Sequence, residues 1–125
     1  INLLCLKKKI FCFDLDNTLC ITKKNDYRKA KPKKNVIKLI NKLYDNGHII
    51  KIHTSRFMGR NNENVQLAKK QGLSFTKTQL KKWKINYHFL IMGKPSYDIF
   101  IDDKNLGFES NWYKNFDIKK YFSKI

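Results

Sequence analysis

The chain has 125 residues, of which 42% are hydrophobic and 30% charged, and its formal net charge at pH 7 is +17. This length suits one domain over residues 1–125, and the apolar content supports a packed core and excludes wholesale disorder. The charge would favour anionic partners, but the lysines are dispersed and arginines are few, which favours compositional drift over a nucleic-acid surface.

The first half of the chain predicts two strands that flank one helix. Residues 9–14 form a short apolar run typical of a buried strand, and the polar, lysine-rich residues 19–34 predict a loop. Residues 35–47 place apolar side chains at helical spacing and end in glycine, which predicts an amphipathic helix with a glycine cap. Residues 48–53 then predict a second strand that ends at Thr54.

Residues 61–78 predict shorter elements. Residues 61–71 look helical and are expected to stop at Gly72, because glycine commonly follows the last helical residue. The six residues that follow, 73–78, predict a short extended piece. Thr78 is expected to cap a short polar helix.

The last third of the chain predicts two strands and a helical tail. Residues 88–92 and 97–102 are short apolar runs that favour buried strands. The tail after Gly107 is expected to be helical and to pack its aromatic side chains inward. These aromatic residues are Trp112, Tyr113, Phe116, Tyr121 and Phe122.

Strands that are apolar throughout alternate with helices, and this pattern is typical of a parallel sheet covered by helices. We therefore expect an α/β fold, a single Rossmann-like domain with a mainly parallel sheet and helices on both faces. Ligands of such sheets bind beyond the carboxyl ends of the strands, so the polar residues at those ends are the candidates for function.

Compartment and membrane association can also be inferred from the sequence. No run approaches the ~20 apolar residues of a membrane span, and nothing resembles a secretory signal. The cysteines lack metal-ligand spacing and are odd in number, which favours reduced thiols. They are Cys5, Cys12 and Cys20. We expect a cytoplasmic protein without a membrane partner.

Three of the predicted strands end in reactive groups, and a lysine precedes the last of these strands. The residues concerned are Asp14 and Asp16, Thr54 and Ser55, Asp102 and Asp103, and Lys94. Each alone has an ordinary explanation as a turn residue or helix cap. Together they suit phosphoryl transfer, because carboxylates gathered at one edge favour Mg²⁺ and a phosphoryl group needs a lysine and oriented donors around it. An aspartate can attack phosphorus while a second one transfers protons.

These residues lie in four motifs, FDLDNTL, KIHTSR, GKPSYD and FIDD, which resemble those of the haloacid dehalogenase superfamily. The resemblance implies that Asp14 is the nucleophile and a metal ligand, and that Asp16 is the general acid/base and also a metal ligand. It implies that Thr54 binds the phosphoryl oxygens and that Lys94 holds Asp14 and the phosphoryl charge. Asp103 would be the further Mg²⁺ ligand, a role that Asp102 could share.

The second aspartate of the first motif, Asp16, favours a phosphatase over a dehalogenase, because a phosphate ester leaves an alkoxide that needs a proton. The intervals between motifs are short, so the chain resembles members without a large cap domain, which accept large substrates or close the site as homo-oligomers. Ser55 and Arg56, beside Thr54 and Lys94, are candidates to contact the substrate.

The length and the motif context resemble small phosphatases of capsule-polysaccharide biosynthesis, which implies a phosphorylated sugar or another small precursor as the substrate. Two alternatives stay open. One is a polynucleotide phosphatase, which the charge and the open site would suit. The other is a non-catalytic binding module of the same fold.

Overall fold

The computed structural model describes residues 7–122, so Cys5 lies outside the described residues. The strands are β1 Ile10–Phe13, β2 Cys20–Ile21, β3 Lys31–Pro32, β4 Ile49–Thr54 and β5 Phe89–Met92. The helices are α1 Lys34–Asp45, α2 Val65–Lys82 and α3 Ile118–Tyr121, with short 3-10 turns at Tyr27–Lys29 and Gly59–Asn61. The predicted loop over residues 19–34 therefore contains a small antiparallel β2–β3 pair.

The main sheet has three parallel strands in the order β1–β4–β5. Phe11 pairs with Ile50, and Ile52 pairs with Leu90. Paired residues point to the same side of a sheet, and so do residues two apart on one strand, so these four side chains share one face. The strands predicted at 9–14, 48–53 and 88–92 are thus confirmed to within a residue at each end.

Both long helices cover that same face. Helix α1 buries Ile37, Ile40 and Leu43, whose three- and four-residue spacing forms one apolar stripe. They belong to one hydrophobic cluster with Leu80 of α2 and with Ile50. Two right-handed crossovers that advance in the same direction along a sheet place their helices on the same side, which accounts for this arrangement.

The opposite face of the sheet exposes apolar side chains. Ile10, Phe89 and Ile91 lie there, and each is more than a third exposed. The expected fold, a small Rossmann-like α/β domain without a cap, is confirmed. The placement of helices on both faces is not found within residues 7–122, since α1 and α2 pack together on one.

Helix α2 continues through Gly72, where the sequence predicted its end. A Cβ at Gly72 would lie 2.3 Å from an atom of the Phe57 ring, so the glycine makes room for a close contact instead of ending the helix. The extended piece predicted over residues 73–78 is helical, and the prediction that Thr78 caps a new helix is wrong. Thr78 lies inside α2 and its hydroxyl donates to the carbonyl of Ser74.

Residues 97–102 do not form the predicted strand. Local side chains bind the backbone here instead: Asp102 accepts a hydrogen bond from the Lys104 N–H, and Asn105 donates one to the carbonyl of Phe100. Such Asx contacts favour turns over extended pairing.

The prediction of a helical tail after Gly107 is also wrong, except that Ile118–Tyr121 form the short helix α3. Trp112, Tyr113 and Phe116 do not pack inward as predicted but are exposed. No helix in the described part of the chain combines the length and the apolar character needed to cross a bilayer.

Candidate active site

The carboxyl ends of the three parallel strands bring Asp14, Thr54 and Lys94 together. Asp14 directly follows β1, and its Oδ1 lies 3.1 Å from Nζ of Lys94, just beyond β5. Its Oδ2 accepts a hydrogen bond of 3.0 Å from the Thr18 hydroxyl. The backbone N–H of Lys94 donates to the carbonyl of Thr54 at 3.2 Å. The sequence prediction that these strand ends meet therefore agrees with the structure for Asp14, Thr54 and Lys94.

Two aromatic side chains that the motif analysis did not single out surround the Lys94 ammonium. Its Nζ lies 5.1 Å from the ring centroid of Tyr97 and 5.4 Å from that of Phe100. Burial acts to lower the pKa of Lys94, but hydrogen bonding to Tyr97 and the charge of Asp14 outweigh it, so the pKa is raised. Lys94 is thus a fixed cation at neutral pH. The sequence concealed this role because YDIF has the pattern of a strand.

Asp16 forms a two-point ion pair with Arg56. Nε of Arg56 lies 2.9 Å from Oδ2 of Asp16, and Nη2 lies 2.9 Å from Oδ1. Oδ1 also accepts a 2.6 Å hydrogen bond from the Thr22 hydroxyl and a longer one, 3.6 Å, from Sγ of Cys20. Burial raises the pKa of the Cys20 thiol, so Cys20 acts here as a neutral donor. The Asp16 carboxylate is therefore held on several sides.

Arg56 was predicted to contact the substrate, but its guanidinium is directed inward. The residue is only 1% exposed, and its third nitrogen, Nη1, donates to Oε1 of Gln79 at 2.6 Å. The guanidinium carbon also lies 4.8 Å from the ring centroid of Tyr27 and 5.9 Å from that of Phe75. In this structure Arg56 supports Asp16. Gln79 was missed because its partners, Arg56 and the carbonyl of Tyr27, are distant in sequence.

Thr54 and Ser55 begin a tight turn between β4 and α2. The hydroxyl oxygen of Thr54 accepts a hydrogen bond from the Arg56 N–H at 3.1 Å, a role that does not use the hydroxyl proton. The carbonyl of Ser55 accepts from the Met58 N–H, and Ser55 itself is half-buried. Phe57 adopts a φ of 67°, in the left-handed region, which reverses the chain direction. The turn thus places Arg56 directly behind the strand end.

His53 precedes this turn and is a further titratable group near the site. Burial is the main reason that its pKa is lowered, and the positive charge of Lys94 adds to the effect, while Asp14 opposes it. The imidazole is therefore neutral at physiological pH. No local pattern indicates this role, because the preceding apolar run favours a core residue.

Asp102 and Asp103, the predicted metal ligands of the last motif, lie in a turn that exposes Asp103. The pKa of Asp102 is lowered, first by the hydrogen bond from the Lys104 N–H and then by Asp103. Within residues 7–122 no group of three His, Cys, Asp or Glu residues could hold a metal ion. Asp14 is instead bound by Lys94 and Thr18. As they are arranged here, the described residues do not fit a magnesium site.

One solved structure supports the fold. A crystal structure of a target protein from Vibrio cholerae is similar with a TM-score of 0.73 and 27% sequence identity, covering 94% of this chain and 95% of that chain. A chain in the structure of the Pnkp1/Rnl/Hen1 complex matches with a TM-score of 0.46 and 16% identity, covering 90% of this chain and 35% of that chain. No protein-family model and no curated protein matches the sequence.

Proposed function

We propose that this protein is a phosphomonoesterase in which Asp14 attacks phosphorus. The observation that carries the proposal is the contact of Asp14 with Lys94, 3.1 Å apart although 80 positions separate them in sequence. Both lie beside Thr54 at the carboxyl edge of a parallel sheet, where α/β domains bind their ligands. The Asp14 side chain is 33% exposed, so a substrate can reach it.

The chemistry suits these groups. A carboxylate oxygen of Asp14 forms a bond to phosphorus while the bond from phosphorus to the ester oxygen breaks, giving an aspartyl-phosphate and an alkoxide that takes up a proton. Water then attacks phosphorus, releases inorganic phosphate and regenerates Asp14. The Lys94 ammonium would stabilise the negative charge on the phosphoryl oxygens in both steps.

Asp16 has the proton-transfer role in this proposal, as the family resemblance implies. In this proposal the Asp16 carboxylate accepts a proton from the attacking water, and its two hydrogen bonds with Arg56 keep the group in place for that step. Protonation of the alkoxide in the first step would require Asp16 to carry a proton beforehand. The contacts with Arg56 and Thr22 hold the carboxyl group in one orientation for both steps.

The substrate and the cofactor enter the proposal through the sequence resemblance. It implies a small phosphorylated precursor of a surface polysaccharide, such as a sugar phosphate, and a dependence on Mg²⁺. An open site without a cap suits a substrate whose remote part stays in solvent or is covered by a second subunit. Binding of Mg²⁺ would need further carboxylates beside Asp14, and Asp103 is the candidate.

The substitution Asp14→Asn tests the proposed nucleophile. It removes the nucleophilic oxygen at nearly constant size, so hydrolysis of an aryl phosphate in the presence of Mg²⁺ should fall to background. The matched control is Asp26→Asn, which alters a surface carboxylate paired with Lys29 at 4.0 Å and should retain full activity. Circular dichroism would establish that both variants are folded. Full turnover by Asp14→Asn would exclude the proposal, as would an inactive wild-type protein on a broad panel of phosphate esters with Mg²⁺.

A further inference from the structure

We propose that Gln79 is a positioning residue of the candidate site, which acts through Arg56 to fix the carboxylate of Asp16. This inference rests on the phosphatase function proposed above. Gln79 lies near the end of α2, well away in sequence from every motif that carries the chemistry. Through Arg56 it would connect that helix to the group assigned to proton transfer.

A continuous chain of short contacts carries the inference. Nη1 of Arg56 donates to Oε1 of Gln79 at 2.6 Å, and Nε2 of Gln79 donates to the carbonyl of Tyr27 at 2.7 Å. The remaining Arg56 nitrogens bind the two carboxylate oxygens of Asp16. The Arg56 side chain is 0% exposed, so water cannot replace a lost partner without rearrangement. The position of Asp16 is therefore coupled to that of Gln79.

The orientation of the Gln79 amide is determined by its partners. A backbone carbonyl only accepts hydrogen bonds and a guanidinium only donates them, so the NH₂ group must face Tyr27 and the oxygen must face Arg56. Neither contact survives rotation of the amide by half a turn. Gln79 thus fixes the plane of the guanidinium, and the guanidinium fixes the plane of the carboxylate by its two parallel hydrogen bonds.

The aromatic rings reinforce this arrangement without replacing it. Tyr27 and Phe75 both lie within cation–π distance of the Arg56 guanidinium, and they enclose it between the loop after β2 and the helix α2. Ring faces provide no directional acceptor for Nη1. Without Gln79 a buried donor would lose its partner, and the guanidinium would turn toward another acceptor.

The test compares Gln79→Met with Gln79→Glu. Methionine has nearly the same shape as glutamine but offers Arg56 no comparable acceptor, whereas glutamate keeps an oxygen there. For an aryl phosphate, kcat of Gln79→Met should fall on the order of tenfold, as is typical when the support of a functional group is lost, with KM unchanged. Gln79→Glu keeps the acceptor for Arg56 but loses the donor to the Tyr27 carbonyl, so it should restore part of kcat. The control Gln66→Met alters an exposed glutamine of the same helix and should behave as wild type.

A second measurement does not depend on turnover. In nuclear magnetic resonance spectra of the wild-type protein, the buried Nε–H of Arg56 should give a slowly exchanging signal, assigned by its loss in Arg56→Lys. In Gln79→Met this signal should shift or exchange faster, and in Gln66→Met it should not. A wild-type protein without phosphatase activity but with this response would refute the proposed function while leaving the coupling intact. Unchanged kcat in a folded Gln79→Met would overturn the positioning role, and so would a fall in kcat that Gln79→Glu shares in full.

Discussion

The pKa values of titratable side chains near the strand ends depend on the groups packed around them. Lys94 remains a cation because Tyr97 and Asp14 together outweigh the effect of its burial on its pKa. His53 immediately precedes Thr54 on β4, and consecutive residues of a strand point to opposite sides of the sheet, so the two side chains lie on different faces. His53 lies close enough to Lys94 and Asp14 to respond to both charges.

The lowered pKa of His53 predicts a pH dependence of stability. Below the ordinary histidine pKa of about 6.5, the unfolded chain binds a proton at His53 that the folded protein still excludes. The free energy of unfolding should therefore decrease as the pH falls through about 6.5, and this contribution should level off below the folded-state pKa. Urea denaturation of wild type and His53→Gln between about pH 7.5 and 5 would measure it. The variant should lose part of the decrease, and an identical pH dependence in the two proteins would contradict the prediction.

The spacing of apolar residues correctly predicted most of the strands and helices. Its errors lie where contacts between distant elements determine the structure. The strands β1, β4 and β5 and the helix α1 were predictable because their apolar spacing reports which face is buried. Helix α2 was divided incorrectly, because Gly72 has the pattern of a helix end but serves a contact with a ring 15 residues earlier in the chain. Such a contact leaves no local signal. The same is true of Gln79, whose partners are Arg56 and the carbonyl of Tyr27.

The contact between Phe57 and Gly72 predicts the effect of adding one methyl group to α2. Alanine is the better helix former by about 1 kcal/mol, so propensity alone predicts that Gly72→Ala stabilises the protein. Its Cβ would lie 2.3 Å and 2.6 Å from atoms of the Phe57 ring and 3.2 Å from Cε of Met92. Overpacking of this kind costs about 1–3 kcal/mol.

We therefore expect Gly72→Ala to lower the thermal midpoint, and the turn that holds Arg56 should loosen with it. The control is Gly59→Ala, whose Cβ would meet only Oγ of Ser96 at 3.8 Å, an ordinary contact. Its midpoint should stay close to that of wild type. Calorimetry of the three proteins would measure both effects, and a stabilised Gly72→Ala would show that the Phe57 ring moves aside without cost.

Across the described residues, the first three motifs bring Asp14, Thr54 and Lys94 together, whereas Asp103 of the fourth motif forms no metal-binding group with them. Asp14, Thr54 and Lys94 converge because each lies at or just after the carboxyl end of a strand of one parallel sheet, and this was predictable from the sequence alone. The position of Asp103 depended on a strand at 97–102 that is not formed. Apolar spacing predicted that strand, but the competing turn at Asp102 and Asn105 satisfies backbone groups locally.

Residues 97–103, which form neither helix nor strand, expose apolar side chains, and they include the candidate metal ligand Asp103. Phe100 and Ile101 are 44% and 47% exposed, and Ile10 of the edge strand β1 is 63% exposed. Burying such side chains against each other would be favourable at about 25 cal/mol per Å². A divalent ion bound between Asp103 and Asp14 would require residues 97–103 to change conformation, so metal binding and the conformation of this segment should be coupled.

This coupling predicts a response to Mg²⁺ that can be measured without a substrate. Saturating Mg²⁺ should slow amide hydrogen exchange in residues 97–103 and raise the thermal midpoint, since a ligand at 100 times its dissociation constant stabilises the folded state by about 2.7 kcal/mol. Asp103→Asn should abolish both responses. Glu109→Gln, which alters an exposed carboxylate in the same irregular region, should preserve them. If Mg²⁺ changes neither the hydrogen exchange nor the thermal midpoint of the wild-type protein, the metal dependence implied by its motifs is refuted. Activity that persists in excess chelator would refute it as well.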